Sequence, residues 1–360
     1  MKKFVTIILT IIILSGTFTI SFAKDLDINQ VIADTASYIY KTVSEPQIGS
    51  IGGEWAVLGL ARSDVEIPED YFENYYQMAE KYLKDREGLL HSRKYTEYSR
   101  AIIALTSIGK NPQDVAGYNL LTPLGDYEKT IWQGINGAIW ALIALDCGNY
   151  DIPKNPDAKT QATREMYINY ILEKQTSDGG WALSGDAVNA DITAMALQAL
   201  SKYQDNDTVK SATAKALDCL SDMQNENGGF SSYETENTES SVQVIVALCE
   251  LGISVYDERF VKNGKSVYDN LITFYDRGKG FKHTHTEDIN QMTTEQCFYA
   301  LVALKRANEN KTSLYDMSDV VLQYNTSDIV GPSKKHADVR KMNIIYPGRL
   351  LQILLGIGKN

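Results

Sequence analysis

The chain has 360 residues, with 46 acidic side chains against 35 Lys and Arg and a formal net charge of −11. That sign is wrong for nucleic acid, whose affinity depends on Lys and Arg neutralising phosphates, and for an anionic membrane surface. Acidity otherwise serves solubility.

Lys2 and Lys3 precede an apolar run from Phe4 to Leu14, and Ser21-Phe22-Ala23 fits a small-x-small cleavage site. Residues 1–23 are therefore expected to be a signal peptide cut after Ala23, which would make the mature chain a secreted, extracellular protein. The run is short for a membrane span and no second one follows.

Beyond it, two kinds of helix alternate. Amphipathic helices bearing Tyr and Lys are expected at 28–43, 69–84, 127–132, 163–174, 208–223 and 263–275. Their apolar residues recur at helical spacing, as at Tyr167, Tyr170 and Ile171. Between them run Ala/Leu-rich stretches at 54–62, 95–109, 135–148, 190–203, 239–252 and 292–306, several ending in glycine, a helix C-cap signal. A helix that is apolar almost all round is buried, and an amphipathic one covers it. Six of each predict two concentric rings. An open solenoid would need polar capping repeats at both ends, and none is evident. The fold class is thus all-α: a closed α6/α6 toroid over residues 24–308. Residues 309–360 are expected to be a short C-terminal extension, a polar linker followed by a short apolar helix at 350–357.

A phrase joins the two kinds of helix. Gln175 leads to Gly179-Gly180-Trp181, Gln224 to Gly228-Gly229-Phe230, and the phrase returns as Gly278-Lys279-Gly280-Phe281. A unit recurring every 40–55 residues or so is the mark of a repeat architecture. Glycine supplies the left-handed turn, and Trp181, Phe230 and Phe281 plug the gap between helices, so these residues are read as structural. Cys147, Cys219, Cys249 and Cys297 are widely separated in apolar helices and are read as buried small hydrophobes, with disulfides, which an exported chain permits, as the alternative.

Aligning the apolar helices on an Ala-Leu pair puts Asn136, Asp191, Glu239 and Glu295 at one position. Glu97 stands beside the equivalent Thr96, and Glu54 lies near it in the first repeat. In a closed ring these groups converge at one mouth. Four residues on, one turn deeper on the same face, come Trp140, Met195, Gln243 and Tyr299. Polar groups converging over an apolar wall are the signature of a ligand site. The competing explanation is helix capping, since a carboxylate in the first helical turn is favoured by about 0.3–1 kcal/mol through the macrodipole. His283-x-His285 with Glu287 and Asp288 is metal-ligand material of weak spacing. No metal or other cofactor is expected.

The Gln-x-x-x-Gly-Gly-aromatic turn followed by Asp191-Ile192-Thr193-Ala194 resembles the repeat of squalene cyclases and protein prenyltransferase β-subunits, over about residues 30–308. The resemblance implies an α/α toroid. In class II terpene cyclases an Asp-x-Asp-Asp-Thr-Ala motif protonates the substrate. Here it reads Asn189-Ala190-Asp191-Ile192-Thr193-Ala194, so the middle aspartate is kept as Asp191 and its two partners are replaced. Nothing aligns with the zinc site of the prenyltransferases. The phrases Gly53-Glu54-Trp55, Thr96-Glu97-Tyr98-Ser99-Arg100 and Asn290–Gln296 are similar to those of exported bacterial toroids of the squalene-cyclase-like type. Residues 191–196 are similar to a helix lining the α-domain of cobalamin carriers.

Three functions fit these residues. The first is a binding module holding a small-molecule, lipid or glycan ligand of partly apolar character in the toroid. The second is a terpene cyclase-like isomerase with Asp191 as general acid. The third is an α/α-barrel glycoside hydrolase using paired carboxylates. The C-terminal tail is a candidate attachment point for a cell-surface partner.

Overall fold

The computed structural model of the protein describes residues 27–232 and 234–323. The expected leader at 1–23 and the expected helix at 350–357 lie outside the described residues. Twelve α-helices are described: α1 (Ile28–Thr42), α2 (Trp55–Arg62), α3 (Glu69–Asp85), α4 (Thr96–Ser107), α5 (Tyr127–Thr130), α6 (Ile135–Cys147), α7 (Arg164–Glu173), α8 (Ala190–Leu200), α9 (Asp207–Met223), α10 (Thr238–Glu250), α11 (Val267–Ile272) and α12 (Gln291–Asn308). None is long and apolar enough to cross a membrane.

The even-numbered helices form the inner ring. Each packs on the next, α2 on α4, then α6, α8, α10 and α12, and α12 packs back on α2. Their apolar composition makes them the core: Leu58, Ile102, Leu142, Leu197, Ile245 and Leu301 are fully buried. The odd-numbered helices lie outside; four of them pack on the inner helix one step back, while the one-turn α5 touches α6, which follows it. Thus α7 lies on α6, α9 on α8, α11 on α10, and α1 on α12. The weak fifth element is one turn, Tyr127–Thr130, and α11 is shorter than its apolar pattern because a β-hairpin residue bounds it on either side.

The glycine turns are built alike. At Gly179 φ is +89°, and a Cβ on Gly180 would stand 2.7 Å from Thr193 Oγ1. The space a side chain would take is used for bonding. The Trp181 amide donates to Thr193 Oγ1 at 2.9 Å, as the Phe281 amide does to Thr294 Oγ1 at 3.0 Å. Gln175 Nε2 then donates to the Gly179 carbonyl at 2.7 Å and to Ala212 at 2.8 Å, and Gln224 repeats this with Gly228 and Phe260. The aromatic ring fills the gap: Trp181, Phe230 and Phe281 are fully buried. Three two-stranded hairpins, Ser231–Ser232 with Thr235–Glu236, Val261–Lys262 with Lys265–Ser266 and Tyr275–Asp276 with Gly280–Phe281, attach to these turns. Strands of two residues leave no alternation to read in sequence.

Residues 309–323 lie in the same compact unit as the helices. They run under the C-terminal ends of all six inner helices. Asp319 bridges Arg62 of α2 (2.7 Å) and Arg306 of α12 (2.6 Å). The Gln323 amide donates to Gly109 just past α4, and the Met317 amide to Cys147 at the end of α6. Lys202, past α8, reaches Asp316 at 3.8 Å, and Glu250 of α10 accepts from Ser313 Oγ at 2.6 Å and from the Tyr315 amide at 3.2 Å. The segment therefore satisfies helix-end carbonyls that would otherwise lack partners.

All four cysteines are free thiols; three are buried and Cys219 is half-buried. Burial pushes the Cys147 thiol up to about 12, and only a thiolate is a strong nucleophile. An Ellman titration of the native protein is expected to register Cys219 alone and slowly, with all four thiols appearing on unfolding. Rapid native reaction of Cys147, Cys249 or Cys297 would contradict the packing.

Candidate functional site

At the N-terminal end of the inner ring a cavity of about 610 Å³ opens. Its walls come from five inner helices and two connecting segments. Asp191 and Met195 come from α8, Glu239 and Gln243 from α10, and Met292, Gln296 and Tyr299 from α12. Trp55 of α2 and Trp140 of α6 supply the aromatic side, and Ser232, Thr235, Asn237 and His283 complete the rim.

Each carboxylate owes its position to the residue two places before it. Asn189 and Asn237 cap their helices, accepting from Ile192 and Ser240 amides at 3.1 and 2.9 Å. Asparagine thus does the capping, and Asp191 and Glu239, at the second helical position, are left to face the axis. Neither carboxylate is the helix cap, and both stand in the first helical turn, where the macrodipole favours them.

Glu239 is well partnered. One oxygen lies 2.5 Å from His283 Nδ1, and the other accepts from Thr293 Oγ1. Asp191 is not: its Oδ1 is buried without a hydrogen-bond partner. Burial raises its carboxyl above the ordinary range, the Glu239 charge adds to this, and Ser240 and His283 pull the other way. One turn deeper, Gln243 Nε2 donates to Tyr299 Oη at 2.9 Å, while Gln198 Nε2 donates to Gln243 Oε1 at 3.0 Å. Trp55 packs on Trp140 (5.1 Å between ring centroids) and on Tyr299 (5.7 Å). Tyr315 meets Trp140 edge-on at 6.3 Å from below.

Of the residues singled out in the sequence, Asp191, Trp140, Glu239, Gln243 and Tyr299 line the cavity together. Four do not. Asn136 is half-buried off the cavity, with Oδ1 unpartnered. Glu97 holds Arg100 in an ion pair. Glu54 is buried, accepting from the Gly49 amide at 3.0 Å, with Arg100 Nε 3.7 Å away. Glu295 accepts from the Gly52 amide at 2.9 Å and from Gln291 Nε2 at 2.8 Å. It ties the last inner helix to the loop entering the first.

The misplacement of Glu295 has a simple cause. Helix α12 contains two Ala-Leu pairs, Ala300-Leu301 and Ala303-Leu304, and the second gives a register three residues out. The cap Asn290 is the equivalent of Asn189 and Asn237, so Met292 takes the carboxylate position and Gln296 that of Gln243. Had the Asn caps been used for alignment, both would have been found. His283 and His285 do not act together: His283 meets Glu239, while His285 stacks on Phe274 at 3.8 Å. Among the described residues no group of three or more His, Cys, Asp or Glu is arranged to hold a metal ion.

Residues 125–259 match the model of the prenyltransferase alpha-alpha toroid domain. The ring and the match together show the α/α-toroid fold. The structure of Candida albicans protein geranylgeranyltransferase-I complexed with GGPP is similar to this one at a TM-score of 0.54 and 12% identity, covering 79% of this chain and 94% of that one. A structure of a UGL variant with dGlcA-Glc-Rha-Glc aligns at a TM-score of 0.46 and 11% identity, over 81% of this chain and 98% of that one. No curated protein matches. At these identities the structural likeness is one of fold alone.

The buried acids at the ring closure give a pH dependence. Glu54 and Glu295 are pushed up to about 7 from an ordinary 4.5, in both cases chiefly by burial. Between those values the folded protein keeps protons that the unfolded chain releases, so this contribution to stability is complete below about 4.5 and is lost as pH rises through about 7. The melting temperature is expected to be several degrees lower at pH 8 than at pH 5, and Glu295→Gln should flatten the slope. A melting temperature that rises over this interval would contradict the assignment.

Proposed function

We propose that this chain is an exported toroid that binds a small, partly apolar ligand in the cavity of its ring. The observation that carries this is the cavity itself. It opens at the mouth, where the polar groups stand, while residues 309–323 run under the opposite end. A volume of about 610 Å³ lies within the usual range for small-molecule sites, roughly 300–1,000 Å³. The wall composition suits a ligand with one polar end: carboxylates and amides at the rim, Trp, Tyr and Met beneath. The leader-like residues 1–23 support export, and the short polar rim leaves room for a lipid or glycan fragment as well as a smaller molecule.

One observation favours catalysis as a second reading. Asp191 presents a buried carboxyl oxygen with no partner in a pocket walled by aromatic rings. A carboxyl group whose pKa is raised by burial is a better general acid than a free one, as in a terpene cyclase-like isomerase.

Native mass spectrometry of the secreted chain, before and after mild denaturation, tests the binding reading. A ligand of a few hundred daltons released on unfolding is expected, and its mass would separate lipid, sugar and isoprenoid. A clean apo mass from several expression hosts, with no uptake from a host extract, would overturn it.

A further inference from the structure

The charge of the cavity narrows the ligand class, and the inference rests on the binding reading above. No Lys or Arg lines the cavity among the described residues. The basic side chain that does, His283, is held by Glu239. Arg100, at the corresponding turn of α4, is taken up by Glu97 and Glu54. The inner helices do bring their positive ends to this mouth, about half a charge each and fading within one turn. On α8 and α10 a carboxyl stands in that first turn, and a full negative charge outweighs half a positive one. An anionic ligand therefore finds no fixed cation to pair with.

Asp191 and Glu239 both line the cavity, so two carboxyl groups stand together at the rim. A turn or two deeper, Trp55, Trp140 and Tyr299 offer π-faces that attract positive charge and apolar mass alike.

We propose that the ligand is an organic cation with an apolar body, an amine or ammonium whose charged head donates to Asp191 beside Glu239 and whose apolar part lies against Trp55, Trp140 and Tyr299. The groups facing Asp191 are Glu239 and Ser240 of α10, His283 of the rim and Tyr299 of α12. As pH falls, Asp191, whose carboxyl burial raises above its ordinary range, protonates, and this weakens the site for a cation. Affinity therefore rises with pH.

Trp55 and Trp140 report occupancy by their fluorescence. Octylammonium, octanol and octanoate, all below micelle-forming concentration, are to be titrated into the secreted chain at pH 5 and pH 8. Octylammonium is expected to bind at least tenfold more tightly than either of the others at pH 8, with the preference shrinking at pH 5. In Asp191→Asn the preference should fall below threefold, with Glu239→Gln as a second variant should the first fail to fold. Equal or tighter binding of octanol or octanoate would overturn the cation assignment and leave the binding reading standing. No response to any of the three probes would overturn both.

Discussion

Two buried arginines share one carboxylate, and the ring depends on it. Arg62 ends the first inner helix and Arg306 the last; both are almost fully buried, and both pair with Asp319. A guanidinium cannot shed its charge when buried, so each must be matched or the fold must open to water. Arg62 also donates to the carbonyls of Ser313 and Asp316 and to Thr312 Oγ1, and Arg306 to the carbonyl and hydroxyl of Thr312. The first and last repeats are thereby fastened to the same few residues. At the other end Glu295 takes the Gly52 amide and makes the matching fastening. A toroid differs from an open solenoid only in this seam, and here each face of the seam is closed by a buried charged or ionisable side chain.

The consequence for the site is direct. With residues 309–323 running beneath the inner helices, Tyr315 rises against Trp140 at the end of the ring opposite the mouth. Its depth profile follows from helix geometry. Positions two, six and nine of each inner helix fall on one face at successive turns, so Asp191 and Glu239 stand above Met195 and Gln243, and Tyr299 lies below. Polarity at the rim and aromatic surface beneath are two readings of one helical period.

Much of this was legible in the sequence, and the failures are instructive. Alternating helix types, the number of rings and the convergence of Asp191, Glu239, Trp140 and Gln243 follow from periodicity, because a repeat copies its register; Tyr299 was reached through the same false register as Glu295 and lines the cavity one turn deeper than that register implied. Glu295 was misplaced where a second Ala-Leu pair offered a false register. Residues 309–323 read as a linker because they are polar. Their polarity is what helix ends and buried arginines require, and a local pattern cannot show a partner 257 residues away, the separation of Arg62 and Asp319. His283 sat in a hairpin-bearing loop, where spacing says little about direction. Its pairing with Glu239 comes from the stacking of neighbouring repeats, which brings the loop before α12 over the start of α10.

The most direct test of this seam is the urea unfolding of Asp319→Ala beside Asp64→Ala. Asp64 is about as exposed as Asp319, at 42% against 39%, but its partners Lys305 and Lys311 are more exposed than the arginines. Breaking a buried pair costs about 3–5 kcal/mol, and the partial exposure of Asp319 lowers this to about 2–3 kcal/mol. The surface pair should cost no more than about 1 kcal/mol. The account predicts that Asp319→Ala loses at least about 2 kcal/mol and clearly more than Asp64→Ala. Equal, small losses in both variants would mean that the arginines do not hold the ring closed.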